Sequence, residues 1–179
     1  MNAQVDLAVP SAHAPPQSQR TRSFFSVHAA DAMFGLPVDS VQTIFRLQSL
    51  TPVPLGPPTI SGLVNLRGKI VPAVGLARRL DLPQDEDAPA PRFAVAVESR
   101  GETFALLVDS VGDAMECSAD ELVESPRHVD ACRARATAAY YRVQGGILPV
   151  LDIDALFDLA PTGASTPNRF TPRPSGAVT

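Results

Sequence analysis

The side chains that could carry out catalysis are few and widely spaced in this chain of 179 residues. The histidines are His13, His28 and His128, and the cysteines are Cys117 and Cys132. A nucleophilic mechanism needs a serine or cysteine beside a base, and a metal site needs ligands at close spacing. The sequence shows neither pattern, so it predicts no catalytic residue, no metal site, no cofactor and a protein that is not an enzyme.

A second candidate for chemistry is the segment GLVNLRGK, which begins at Gly62 and ends in Gly68-Lys69. A phosphate-binding loop has four residues between its glycines and a serine or threonine after its lysine. Here five residues separate Gly62 from Gly68, and Ile70 follows the lysine. The spacing excludes a phosphate loop and favours a turn between two strands.

The elements around this turn predict a β-hairpin that presents polar groups. Gly68 lies where a tight turn needs a positive φ. Side chains alternate along a strand, so Asn65 and Arg67 share one face and form a candidate interaction surface. Pro72 has no N–H, which predicts an edge strand or a bulge in the returning strand.

Basic residues concentrate in and after this hairpin, at Arg67, Lys69, Arg78 and Arg79. The last two belong to a predicted short helix and are expected on its outer face. The set is either a solvated turn and helix face or a docking surface for an acidic or polar partner. Asp109, in a later apolar segment, is expected to cap a turn rather than to bind a metal.

Overall composition restricts the function further. The net charge is −4, and because both termini are slightly basic, the segment between residues 22 and 161 carries −7. An acidic domain is a poor nucleic-acid binder, since phosphate contacts supply most of that affinity. No apolar run is long enough to span a membrane, and the N-terminus does not resemble a secretory signal. Two cysteines without a paired spacing fit a cytoplasmic protein.

The chain pattern predicts at least eight short strands and no long helix, which is typical of a mainly β barrel or sandwich. We expect disordered tails at residues 1–22 and 161–179 around one domain over 23–160. The Pro-rich acidic loop at 83–91 is the best internal break. Asp39 is expected to cap a short helical segment that contains Val41, and residues 127–136 are expected to form a surface loop.

The segment GLVNLRGKIVPAVGL, residues 62–76, resembles the most recognisable part of the CheW-like chemotaxis coupling proteins. The resemblance continues in chain order over about residues 24–159. Residues 38–44 are similar to the pattern V-x-x-V-x-E-I, and residues 104–113 are similar to a V-D-x-V-x-D/E element. Two positions depart from the family: Thr43 replaces a glutamate, and Gly75 replaces an aspartate before the helix.

The resemblance implies two small five-stranded SH3-like β-barrels that share a hydrophobic seam, with short helices. It implies a non-catalytic adaptor in the cytoplasm, at membrane-associated chemoreceptor arrays. The implied partners are the signalling tip of chemoreceptors and the regulatory domain of a CheA-type histidine kinase. The implied partner-binding residues are Val41, Thr43, Gly62, Asn65, Arg67, Gly68 and Val111.

Two alternatives stay open at this point. One is a coupling protein of a chemosensory pathway whose output is not flagellar. The other is a small-barrel module that binds a peptide or a nucleic-acid strand through the basic residues. The sequence shows no aromatic platform beyond phenylalanines expected in the core, which argues against base stacking.

Overall fold

The structure is a computed structural model that describes residues 21–55, 59–84 and 90–158. The expected tails lie outside these residues, except that Arg22 already begins the first strand. The described strands are β1 (Arg22–Ala29), β2 (Ala32–Pro37), β3 (Val41–Arg46), β4 (Gly62–Leu66), β5 (Lys69–Gly75), β6 (Phe93–Ser99), β7 (Glu102–Val108), β8 (Ser110–Cys117), β9 (Leu122–Val123), β10 (Thr137–Val143) and β11 (Gly146–Leu151). The described α-helices are α1 (Leu76–Arg79), α2 (Ala131–Arg135) and α3 (Ile153–Leu156).

The described strands form two sheets, which confirms the mainly β, two-part fold. One sheet has six strands in the order β8-β1-β2-β11-β10-β9, and the other has five in the order β3-β6-β7-β5-β4. The expectation of five strands in each half therefore holds for one sheet only. Most strand pairs are antiparallel, but β5 pairs with β7 and β11 pairs with β2 in parallel.

The two sheets do not divide at the loop near residues 83–91, where we expected the break between two subdomains. Strands β1 and β2 join the C-terminal strands, while β6 and β7 join β3, β4 and β5. The contact of β2 with β11 explains why residue 35 is a glycine. A Cβ there would lie 3.1 Å from the side chains of Leu148 and Val150. Such pairing links residues more than a hundred positions apart, which turn signals along the chain do not reveal.

A shared hydrophobic seam lies between the sheets, as the family resemblance implied. Val27 and Leu36 from the six-stranded sheet belong to the same buried cluster as Val95 and Leu106 from the five-stranded sheet. Helices α1 and α3 add further apolar side chains to this cluster, among them Leu76. Full burial of one such side chain stabilises the fold by about 1.5–3 kcal/mol, so the seam joins both sheets into one unit.

Arg79 connects helix α1 to helix α3 across the seam. The sequence predicted instead that it lies on the outer face of its helix. Its Nε donates to the carbonyl of Leu156 at 2.6 Å, and its Nη2 donates to the carbonyls of Ala155 and Asp158, each at 3.1 Å. The last carbonyls of a helix have no partner within the helix, and a guanidinium satisfies them. Arg78 is exposed as predicted, so only Arg79 is withdrawn from the basic surface.

Local patterns were interpreted wrongly in three places. The segment Val41–Arg46 is strand β3 rather than a helix capped by Asp39, because it pairs with β6. The expected surface loop at 127–136 contains α2, whose N-terminus is capped by Asp130 through the N–H of Cys132 at 2.7 Å. Pro72 lies in β5, an inner strand; it is tolerated because pairing with β7 begins only at Ala73.

A repeated unit, a hairpin followed by a short helix, occurs once in each sheet. Residues 70–80, IVPAVGLARRL, correspond position by position to residues 147–157, ILPVLDIDALF. In the second copy Asp152 caps α3 by accepting the N–H of Ala155 at 3.0 Å. In the first copy Gly75 occupies the equivalent position, and its own N–H donates to Ser61 Oγ at 3.2 Å. The missing carboxylate thus leaves α1 without a side-chain cap.

Candidate functional site

The turn between β4 and β5 is the most exposed polar feature of the candidate site. Arg67 and Gly68 have φ angles of 52° and 86°, as a two-residue type I′ turn requires. The positive φ predicted for Gly68 is confirmed. Asn65 Oδ1 accepts the N–H of Gly68 at 2.7 Å, which closes the turn. The hydrogen bond holds the backbone of Arg67 in a fixed conformation while its side chain stays exposed.

A cleft lies beside this turn, between the two edges of the five-stranded sheet. Strands β3 and β4 stand at opposite ends of the strand order, so within the described chain they do not pair with each other. The space between them has a volume of about 700 Å³. We call it the edge cleft; it is lined by Thr43, Ile44, Phe45, Arg46, Leu47, Gln48, Ser49, Val64, Asn65, Leu66 and Arg67.

The edge cleft has a basic rim and is lined by both polar and apolar side chains. Its charged lining residues are Arg46 and Arg67, and none of the described lining residues is acidic. The Arg46 guanidinium lies 5.9 Å from the centre of the Phe93 ring, a cation–π contact that restrains it. Lys69 is exposed next to the turn. The surface is therefore suited to a partner segment that is acidic or polar and carries apolar side chains.

The structure brings together three of the predicted site residues and places a fourth beside them. Thr43, Asn65 and Arg67 all line the edge cleft, and Gly68 completes the adjoining turn. Gly62 is buried at the start of β4, where a Cβ would lie 2.7 Å from the carbonyl oxygen of Thr51. Its role in the structure is close packing under the hairpin, away from the exposed surface.

Val41 and Val111 lie elsewhere, at the border of the central seam. Val41 pairs with Val97 in the five-stranded sheet, and Val111 pairs with Val27 in the six-stranded sheet. Both are partly buried and pack against the cluster shared by the two sheets. Neither lines the edge cleft, so the predicted residues other than Gly62 fall into a cleft group and a seam group.

The sequence missed two residues of this surface. Arg46 lines the edge cleft, and Ile70 is 64% exposed directly after the basic turn. Arg46 ends β3, at the opposite edge of the sheet from Asn65 on β4, and only the three-dimensional fold brings both edges to one cleft. Ile70 pairs with the exposed Asn65, so the two side chains lie on the same face of the hairpin. The alternation of side chains along the strands could therefore have predicted from the sequence that Ile70 is exposed.

Comparison with known proteins decides the family. The family model described as "CheW-like domain" matches residues 23–168 of this chain. The chain belongs to the CheW-like domain family.

Individual relatives of the CheW-like family agree over most of their length. The chain is 25% identical to the chemotaxis protein CheW of Bacillus subtilis over 136 residues, which cover 76% of this chain and 86% of that protein. It is also 25% identical to the chemotaxis protein CheW of Thermotoga maritima, over 68% of this chain and 78% of that protein. The crystal structure of the scaffolding protein TtCheW from Thermoanaerobacter tengcongensis matches with a TM-score of 0.67 at 22% identity, covering 76% of this chain and 92% of that one. This last likeness supports the fold.

The departure from the CheW-like pattern at Thr43 has a clear structural setting. Thr43 and Arg67 line the same cleft, where a glutamate at position 43 would face a basic rim. Threonine has no charge, so this chain has no ion pair between these two positions. Asp39, an acidic residue four positions earlier in the chain, lines a different cavity together with Arg22 and Phe24. The rim of the edge cleft in this family member therefore keeps its positive charge.

The residues that could have supported catalysis are dispersed or have structural roles. In the described chain no group of three or more histidine, cysteine or acidic residues is placed to hold a metal ion. Burial, with a smaller contribution from Glu121, raises the pKa of the Cys117 thiol, which keeps it protonated and a poor nucleophile. Asp109 Oδ2 accepts the N–H of Ala30 at 2.7 Å, which confirms the predicted turn cap.

None of the described helices has the length and apolar character needed to cross a membrane.

Proposed function

We propose that this chain is a non-catalytic scaffold that couples chemoreceptors, the methyl-accepting chemotaxis proteins, to a CheA-type histidine kinase. The observation that carries the proposal is the CheW-like family match over residues 23–168. Relatives named as chemotaxis proteins CheW support it, since they align over three quarters or more of their own length. The exposed turn at Arg67, beside a cleft without acidic lining residues, supplies a surface of the kind such a scaffold needs.

The mechanism we propose is bivalent docking on one rigid body. The open edges of β3 and β4 pair with the regulatory domain of the kinase, and the hairpin tip at Arg67 together with the border at Val41 and Val111 takes the receptor helices. Two modest contacts through one rigid domain raise the effective concentration of each partner for the other. The shared seam supplies the rigidity, because it holds both sheets in one core.

This proposal places the protein in the cytoplasm, at receptor arrays beside the membrane. It requires contacts with a receptor and a kinase only, so it applies to flagellar and other output pathways alike. The alternative of a nucleic-acid module gains no support. Each phenylalanine that the structure describes packs in or against a hydrophobic cluster, which leaves no exposed ring for base stacking.

The test is reconstitution of the full chain with the CheA-type kinase and a receptor signalling fragment from the same organism. We expect the three proteins to co-sediment, and we expect kinase autophosphorylation to change only when this chain is present. Absence of binding to both the kinase and the receptor fragment would contradict the proposal. Binding without any change in autophosphorylation would contradict its coupling part.

A further inference from the structure

The edge cleft lies between two strand edges that are open in the described chain. Strands β3 and β4 stand at the two ends of the five-stranded sheet, and each pairs with another described strand on one side only. An open strand edge presents unpaired N–H and C=O groups, which can pair with an added strand. The backbone hydrogen bonds of both strands indicate which residues direct such groups into the cleft.

On β4, the free backbone groups belong to Asn65. Leu63 donates its N–H to the carbonyl of Thr51 at 2.8 Å and accepts the N–H of Thr51 at 2.9 Å, on the side away from β5. Residues two apart in an antiparallel strand direct their backbone groups to the same side, so those of Asn65 also point away from β5. Thr51 is the only described residue bridged to this side of β4, and Asn65 lines the cleft.

On β3, the free backbone groups belong to Ile44 and Arg46. The N–H of Leu47 donates to the carbonyl of Arg92, just before β6, at 3.0 Å. The same alternation directs the backbone groups of Phe45 toward β6 and those of Ile44 and Arg46 toward the open side. Both residues line the edge cleft, so free backbone groups from both edges lie along one cleft.

The side chains around the cleft determine which kind of strand fits. Phe45 and Leu66 line the cleft and pack against a buried cluster of this sheet. Side chains alternate along a strand, so the neighbouring Arg46 and Asn65 lie on the opposite face. Arg67 lines the cleft as well, and none of the described lining residues is acidic. A strand between the two edges would therefore place apolar side chains beside Phe45 on one face and acidic side chains beside Arg46 on the other.

We propose that the edge cleft binds an extended segment of its partner as an added β-strand, in which acidic side chains alternate with apolar ones. The main-chain groups of Ile44, Arg46 and Asn65 supply the hydrogen bonds. Arg46 and Arg67 supply the charge that selects acidic side chains. The inference rests on the proposed function, which assigns these open edges to the kinase. It adds the form and the charge of the kinase segment that they take.

The test is a titration of the isotope-labelled full chain with the peptide EVEVEVE, in which glutamate and valine alternate, followed by amide chemical shifts and amide exchange. We expect saturable shifts along the cleft. At about ten times the dissociation constant, exchange should slow about tenfold at Ile44, Arg46 and Asn65, because only the free protein exchanges there. The amides of Phe45 and Val64 already pair within the sheet, so their exchange should not change.

Two control peptides separate strand addition from simple charge attraction. KVKVKVK has the same spacing with the opposite charge, and it should bind at least about tenfold more weakly. EVEVEVE with N-methylated valines keeps its carboxylates but loses the backbone donors of its valines, and it should also bind at least about tenfold more weakly. The proposal is overturned if EVEVEVE gives no saturable shifts, if either control peptide binds equally well, or if the slower exchange extends to Phe45 and Val64.

A pair of matched variants tests the contribution of charge. Arg67→Glu should weaken the binding of EVEVEVE about tenfold or more. Arg100 lies in the turn between β6 and β7 with nearly the same φ and does not line the cleft. Arg100→Glu should therefore bind EVEVEVE within about twofold of the unmodified chain. An equal loss in both variants would overturn the proposal.

The CheA-type kinase separates this inference from the proposed function. Kinase binding should slow amide exchange at Ile44, Arg46 and Asn65 in the same alternating pattern. Kinase binding without this pattern would overturn the inference and leave the coupling function in place. Absence of kinase binding would contradict the coupling function, and the peptide titration would still decide whether the cleft takes an added strand.

Discussion

Two hairpins of the five-stranded sheet turn on the same dipeptide, Arg67-Gly68 between β4 and β5 and Arg100-Gly101 between β6 and β7. Their φ angles are nearly the same, 52° and 86° in the first turn and 51° and 82° in the second. Both arginines are exposed at the tip. The positive φ of the arginine is therefore the ordinary geometry of a two-residue turn and does not by itself mark a functional site.

The two turns differ in what surrounds them. Lys69 follows the first turn, and Arg46 lies across the edge cleft that Arg67 lines. Glu98 and Glu102 flank Arg100 in the second hairpin, so its local charge is negative. The charge and shape of the surroundings, rather than the turn, therefore distinguish the proposed docking surface.

The largest expected effect is on partner binding. Arg67→Glu reverses the charge at the rim of the edge cleft and should weaken kinase or receptor association about tenfold or more. Arg100→Glu is the matched control, since it makes the same change in the same backbone conformation, and it should leave the affinity within about twofold. Surface plasmon resonance gives the affinities, and circular dichroism verifies the fold of both variants. Equal losses in the two variants would break the comparison.

The second prediction concerns the stability of the two turns. Gly68 and Gly101 both have positive φ angles, and a Cβ at either position would meet no atom within 4 Å. Gly68→Ala and Gly101→Ala should therefore each lower the free energy of unfolding by about 1 kcal/mol, through backbone strain alone. Urea denaturation measures both values. A loss confined to Gly68→Ala would show that the turns are not equivalent.

A smaller effect is expected from the hydrogen bond that closes the first turn. Asn65→Ala removes the acceptor of the Gly68 N–H and should cost about 0.5–1 kcal/mol of stability. Glu98 occupies a similar place in the second hairpin, where its Oε2 accepts a hydrogen bond from the exposed Gln42 Nε2 at 2.9 Å. Glu98→Ala should cost less than Asn65→Ala in the same denaturation experiment. The reverse order would contradict the role assigned to Asn65.

The smallest effect is expected at Thr43. Thr43→Glu introduces a carboxylate into the cleft that Arg67 lines and should raise stability by up to about 1 kcal/mol. The gain should fall as salt is added, whereas the uncharged control Thr43→Gln should show no salt-dependent gain. Melting temperatures at low and high salt provide the comparison. A gain that does not depend on salt would rule out the ion pair.

The parts of the fold that sequence predicted correctly depend on short-range signals. Gly68 marked a turn, which the structure places between β4 and β5. Ser118 and Glu121 form a capping box of the same short-range kind, with the Ser118 N–H donating to Glu121 Oε2 at 2.8 Å. Each of these features involves residues a few positions apart, where spacing alone determines the geometry.

The parts that sequence did not predict depend on contacts between distant residues. Val41–Arg46 is a strand because β6 pairs with it, and Arg79 is held by carbonyls of α3 at the other end of the domain. The site shows the same limit. The family pattern pointed to Arg67 and Thr43, but the position of Arg46 across the edge cleft depends on how the two opposite edges of the sheet meet in three dimensions.

Hydrogen–deuterium exchange of the full chain with and without the CheA-type kinase tests the central claim most directly. The edge cleft and its turn are covered by residues 43–49 and 64–70, and the matched turn is covered by residues 98–103. We predict that kinase binding slows exchange in the first two segments and leaves the third unchanged. Slower exchange at 98–103 with no change at 43–49 and 64–70 would contradict the account.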